Sequence, residues 1–131
     1  MDNIENNSWL EYALNDFEAA LILAKQHKPK VEIVCYHCQQ SAEKMLKGFI
    51  ATNNGKLIKT HDLVVLCEAC INYEAEFDLL LETCSDLTIY ASEIRYTNIL
   101  EIDEFQMRKA INDANKIKDF VQNKIIKNSK L

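Results

Sequence analysis

The residues best suited to chemistry gather in three stretches: His37, Gln40, Ser41, Lys44 and Lys47; then Thr60, His61 and Asp62; then Tyr90, Arg95 and Tyr96. A histidine and two lysines at helical spacing can hold an anion or move a proton. At about 100° per residue, His37, Ser41, Lys44 and Gly48 share one seam, with Gln40 and Lys47 further round. This seam is polar yet small. Gly48 weakens a helix, so its presence predicts close approach of another backbone, such as one across a dimer interface. A solvated face with an incidental histidine is the competing reading. Arg95 offers a planar fork beside aromatic rings, which suits phosphate or base recognition, although Glu93, Glu101 or Asp103 can satisfy it as an ion pair. His61 follows Thr60, which reads as an N-cap, and a helix N-terminus there attracts anions. A buried histidine bonding the backbone is the commoner arrangement.

Cys35-x-x-Cys38 and Cys67-x-x-Cys70 have the spacing of a four-thiolate zinc site. Both pairs fall inside helical stretches, however, and Cys38, Cys67 and Cys70 lie on apolar stripes where reduced cysteine packs as a small hydrophobe. Core packing is therefore preferred over metal binding, and no cofactor is expected. The sequence has no glycine-rich phosphate loop, no Ser/His/Asp order of a triad and no His-x-x-x-His or Glu-x-x-His ligand pair.

The elements that must position these residues follow from composition and periodicity. The 131 residues are 48% hydrophobic and 27% charged with two glycines and one proline, too few turn formers for a sandwich or barrel. One all-α domain is expected over 1–131, with its core at about 8–125. Ser8 with Glu11 reads as a capping box opening a first helix, with Leu10, Ala13, Leu14, Phe17, Leu21 and Ala24 inward, to about His27. Pro29 suits the first turn of a second helix from about Val31 to Ala51, whose stripe is Val31, Cys38, Ala42, Met45 and Phe49. Asn53, Asn54 and Gly55 end it. Thr60 caps a third helix from His61 to about Asn72. A fourth runs from about Glu74 to Arg95 on Phe77, Leu80, Leu81, Cys84, Leu87, Ala91 and Ile94. Asp103 caps the last, with Met107, Ile111, Ala114, Ile117, Val121 and Ile125 inward and Ile102 stapling its entry. Short links between four long helices and one shorter one predict an antiparallel up-and-down bundle.

The net charge of -5 disfavours generic coating of DNA or RNA. The charge is blocked: residues 1–24 carry -5, 25–61 carry +5, 62–104 carry -10 and 105–131 carry +5. Complementary packed faces account for this more simply than a basic surface awaiting an anion. Residues 1–5 lack the basic and apolar regions of a signal peptide, and no apolar run is long enough to span a membrane. A cytoplasmic protein with five reduced cysteines is expected.

His37, Gln40, Ser41, Ala42, Glu43, Lys44, Leu46 and Lys47 after Tyr36, then Thr60-His61-Asp62-Leu63, then Ala91 to Arg95-Tyr96, together resemble the HEPN domain of prokaryotes. The resemblance covers about residues 8–125. It implies a helical bundle, commonly a homodimer, that partners a small nucleotidyltransferase as its nucleotide- or substrate-binding subunit, or forms the toxin half of a toxin–antitoxin pair. It points to His37, Lys44, Lys47, His61, Arg95 and Tyr96 as ligand-binding residues. Phosphate is held by Lys44 and Arg95, and Tyr96 stacks on a base or offers a modifiable hydroxyl. In the ribonuclease members an arginine is followed, after four to six residues, by a histidine that handles the proton. Here Arg95 is followed by no histidine at all, since His61 is the last in the chain. A non-catalytic domain is therefore expected, with Asn98 a further candidate ligand contact. The alternatives are a divergent RNA-cleaving toxin that uses His37 or His61, and a structural dimerisation module.

Overall fold

The computed structural model describes residues 2–91 and 102–129, and all their regular elements are helical. Helix α1 spans Asp2–Ala24, α2 Val31–Thr52 and α3 Leu63–Ile71. A 3-10 helix follows at Ala75–Leu80, leading into α4 at Leu81–Thr88, and α5 spans Glu104–Ser129. This is the helical bundle the composition predicts. Several boundaries differ from the sequence reading. Helix α1 begins at Asp2, so Ser8 lies within it rather than capping it. Pro29 precedes the N-cap, Lys30, instead of occupying the first turn of α2.

Helix α3 is capped by Asp62 and not by Thr60. The Asp62 carboxylate accepts from the backbone N–H groups of Val64 and Val65, while the Thr60 hydroxyl accepts from the N–H of Asp62 itself. His61 is thereby left outside the helix. The fourth stretch also changes form, because Phe77 and Leu80, both buried, stand three residues apart and eclipse one another in a three-residue turn. The α-helical part is Leu81–Thr88, residues 89–91 turn away from it, and residues 92–95 of the expected helix, Ile94 and Arg95 among them, lie outside the described residues. Asp103 caps α5 as expected, its Oδ1 accepting from Gln106 N–H at 2.9 Å, and Gln106 completes a capping box by accepting at Oε1 from Asp103 N–H at 3.0 Å.

Helix α2 is the central element. Val34, Cys35, Cys38, Ala42, Met45, Leu46 and Phe49 are buried, and so are the polar Gln39, Ser41, Glu43 and Lys47. Phe49 meets Phe77 at 4.5 Å between ring centroids, and Phe77 meets Phe120 edge-on at 4.9 Å, joining α2, the 3-10 helix and α5. Aromatic pairs in these tilted arrangements add to the burial of their own area. The start of α3 is tied to the end of α4 by the Leu63 N–H donating to Thr88 Oγ1. All five cysteines are free and buried in this core. Cys67 donates to the carbonyl of Phe77 and Cys70 to that of Leu46, and burial pushes the thiols of Cys35, Cys38 and Cys70 up. Among the described residues no three His, Cys, Asp or Glu side chains converge on a metal position.

Helices α1 and α2 are antiparallel and closely packed. As the numbering on α1 falls from Asp16 through Ala13 to Leu10, the partners on α2 climb from His37 through Ser41 to Gly48. On the inner face of α1, Ala13 and Ala20 are fully buried and Leu10, Phe17 and Ala24 pack against the core, whereas Leu14 is 40% exposed. The Ser41 hydroxyl donates to the Ala13 carbonyl at 2.8 Å. Gly48 therefore answers to α1 of its own chain and not to a dimer partner, for a Cβ there would stand 2.9 Å from Leu10 Cδ2 and 3.2 Å from Trp9 Cβ.

The charge blocks pair off across the bundle. Asp16 of α1 meets Lys44 of α2, Asp86 of α4 meets Lys109 of α5, and Glu74 and Glu76 meet Lys124 of α5. Overfilling the α1–α2 contact tests its closeness: Gly48→Leu is expected to destabilise the protein by about 1–3 kcal/mol in urea denaturation. Unchanged stability would mean that the two helices have room between them.

Candidate functional site

His37 and Lys44 of α2 gather on one carboxylate, and Lys47, Gln40 and His61 on another. On the first, Asp16 of α1 bridges His37 and Lys44: Oδ1 is 3.1 Å from His37 Nδ1, and Oδ2 accepts from the Lys44 ammonium. All three side chains are partly buried, and they sit at the rim of the α1–α2 interface. The ring of Tyr36 packs edge-on against His37, with centroids 5.7 Å apart.

On the second, Glu43 lies deeper, its side chain only 5% exposed. Its Oε2 accepts from the Lys47 ammonium at 2.9 Å, and its Oε1 is 2.9 Å from His61 Nδ1. Gln40 Nε2 donates both to Glu43 Oε1 at 3.3 Å and to Gln39 Oε1 at 2.8 Å. Gln39 Nε2 in turn donates to the His61 carbonyl at 2.8 Å, which fixes the backbone that carries the imidazole. The His61 ring is 71% exposed, so it is neither the buried histidine nor the helix-terminal one that the sequence suggests. One nitrogen is anchored by a buried acid, and the other edge faces water. Lys47 completes the chain of contacts, its ammonium lying 5.5 Å from the centroid of the Trp9 ring.

Four of the six sequence candidates are thus placed. His37 and Lys44 form one group and Lys47 and His61 another, on adjacent rows of the same helix and the loop beyond it. Arg95 and Tyr96 lie outside the described residues, as does Asn98. Tyr90, the third member of that stretch, is a core residue, 7% exposed, and burial pushes its hydroxyl up to about 12. It is packed into the bundle rather than presented for stacking or transfer.

Type and spacing did not single out the two acids that organise the site. Asp16 carries a signal in retrospect, because it stands three residues after Ala13 beside the Ala13, Phe17, Ala20 stripe, where an acid at the edge of a buried face needs a partner from the facing helix. Glu43 stands four residues before Lys47, the spacing of a helical ion pair. What spacing does not reveal is that α2 is enclosed on that side, which turns a surface pair into a buried one.

A family model described as HEPN domain matches residues 7–125 of the chain. Among solved structures, TT1696 from Thermus thermophilus is similar at 24% identity and a TM-score of 0.77, over 91% of this chain and 97% of that one. ST0689, described as an archaeal HEPN homologue, is similar at 23% identity and a TM-score of 0.72, over 92% of this chain and 97% of that one. No curated protein matches.

Removing one partner of a buried pair strands the other. Glu43→Leu is expected to cost about 3–5 kcal/mol in urea denaturation, and adding Lys47→Met should recover much of that loss. Strict additivity of the two substitutions would show that the pair is not coupled.

Proposed function

The chain belongs to the HEPN domain family, and on that premise we propose that it is a non-catalytic member that binds a nucleotide or nucleotide-bearing substrate as the partner of a small nucleotidyltransferase. The pairing is of the toxin–antitoxin kind, between a HEPN homodimer and the transferase in the cytoplasm. None of the described helices is long and apolar enough to cross a membrane.

The observation that most supports binding is the fixed polar strip along α2, in which two carboxylates hold two ammonium groups and two imidazoles at set positions. A strip of this kind is ordered before any ligand arrives, so less entropy is lost on binding. Lys44 is the cation at the rim, and a phosphate oxygen arriving there competes with Asp16 for its remaining donors. Arg95 supplies the planar fork for the same phosphate, and Tyr96 supplies a stacking face. The sequence supports the non-catalytic half of the reading, since no histidine follows Arg95 to handle a proton.

One observation favours a second reading, RNA cleavage by a divergent site. His61 has a ring nitrogen fixed by a buried acid and its other edge in water, the arrangement of an oriented general base. The sequence offers it no arginine at the family's spacing.

Calorimetric titration with ribonucleoside monophosphates tests the first reading. Arg95→Ala should lower affinity at least tenfold with helicity unchanged, whereas unchanged affinity removes Arg95 from the site. Incubation with total RNA tests the second. Intact RNA is expected, and metal-independent cleavage lost in His61→Ala would overturn the non-catalytic assignment.

A further inference from the structure

A cleft of about 490 Å³ opens beside Lys47, between the first half of α1 and the connection from α2 to α3. Its walls are Trp9 and Tyr12 on one side and Leu57 and Ile58 on the other, and Ile50 and Ala51 of α2 form its floor. Tyr12 is 57% exposed and Leu57 52%, so large apolar side chains line the mouth with nothing over them among the described residues. Volumes of this order, with apolar walls and a few polar groups, are usual for small-molecule sites.

The cleft is also rigidly built. Asn54 takes the left-handed backbone, at φ 58°, that turns the chain after α2. Gly55 then lies so close to α2 that a Cβ would stand 2.6 Å from Ile50 Cγ2 and 2.4 Å from Tyr73 Oη. The connection is therefore pinned against the floor it borders. Among the described residues lining the cleft the one cation is Lys47, 8% exposed, whose ammonium has three N–H donors. Glu43 takes one of them, and the Trp9 face lies against the same group.

We infer that this cleft holds the base of a nucleotide, stacked against Trp9 and Tyr12 with a ring acceptor turned to the Lys47 ammonium. A phosphate suits it poorly. The Lys47–Glu43 pair is almost fully buried, so a phosphate there would shed its water beside an enclosed carboxylate, whereas the Lys44–Asp16 pair at the rim leaves it hydrated. An uncharged planar ring meets none of that opposition, gains from stacking, and needs only a donor at its edge. The inference rests on the nucleotide reading above and names the part of the ligand that this cleft takes, leaving the phosphate to Lys44 and Arg95. The Glu43 carboxylate that steadies Lys47 also holds His61, so the edge of the cleft is fixed to the loop before α3.

Trp9 is the chain's one tryptophan, so its fluorescence reports on this cleft alone. Titration of the whole chain with adenosine, guanosine, cytidine and uridine monophosphates should quench it saturably with at least one of them. Ribose 5-phosphate, which lacks the base, should not. Tyr12→Ala, at an exposed position that leaves the fold undisturbed, should weaken the quenching affinity about tenfold, and Ala51→Phe, which fills the floor, should abolish it. Calorimetry on the same samples separates the two levels of the claim. Heat of binding without any change in Trp9 fluorescence, or with affinity unchanged in Tyr12→Ala, would leave the nucleotide reading standing and overturn the cleft as the base site. Equal quenching by ribose 5-phosphate would make it a phosphate site and overturn the inference as well. No heat and no quenching with any of the four would overturn both.

Discussion

Helix α2 is enclosed almost all round, and its buried polar groups must therefore find partners in neighbouring elements. A buried polar group left without one costs more than the hydrogen bond it would have made. That constraint sets where the rest of the chain lies. Ser41 draws the Ala13 carbonyl, Lys44 and His37 draw Asp16, and Gln39 draws the His61 carbonyl. Glu43, the most deeply placed acid, draws Lys47, His61 and Gln40 together. Helix α1 is held in register by the first of these contacts, and the loop before α3 by the last.

The same contacts make the site. Residues that satisfy a buried helix are held in single positions by it, and side chains fixed in this way are prepared for a ligand. The two groups differ in what they leave available. Asp16 sits at the rim and shares a lysine that an incoming anion can reach, whereas Glu43 sits inside and fixes an imidazole whose free edge faces water. The cleft beside Lys47 adds an aromatic wall to this polar strip, so charged groups and a flat apolar surface lie together along α2, as the proposed function requires.

Much of this is legible in the sequence, and the reasons for the rest are physical. Helical periodicity shows the stripe of α5 because Met107, Ile117 and Val121 are buried, Ile111 and Ile125 pack beside them, and all recur at helical spacing. In α1 periodicity places Leu10, Ala13, Phe17 and Ala24 inward as found, but it includes the exposed Leu14 and passes over the fully buried Ala20, because a small residue at a close contact leaves a weak apolar signal. The 3-10 helix at Ala75–Leu80 reads as α-helix because Phe77 and Leu80 fit either period. The stop of α2 follows from Asn53, Asn54 and Gly55, but the glycine is needed for its lack of a side chain, and Asn54 supplies the turn. Among the functional residues, the histidines and lysines are visible by type and spacing. Their organising acids are not, because whether a carboxylate is buried depends on which face of a helix its neighbours cover.

On the proposed function, this HEPN domain works as the binding subunit of a nucleotidyltransferase pair. Gentle affinity purification of the chain from its own host at natural abundance, followed by intact mass spectrometry, tests that most directly. The expected result is recovery with a small nucleotidyltransferase in fixed proportion, with a nucleotide retained on or attached to the complex. Recovery of the homodimer alone, carrying neither transferase nor nucleotide, would contradict it.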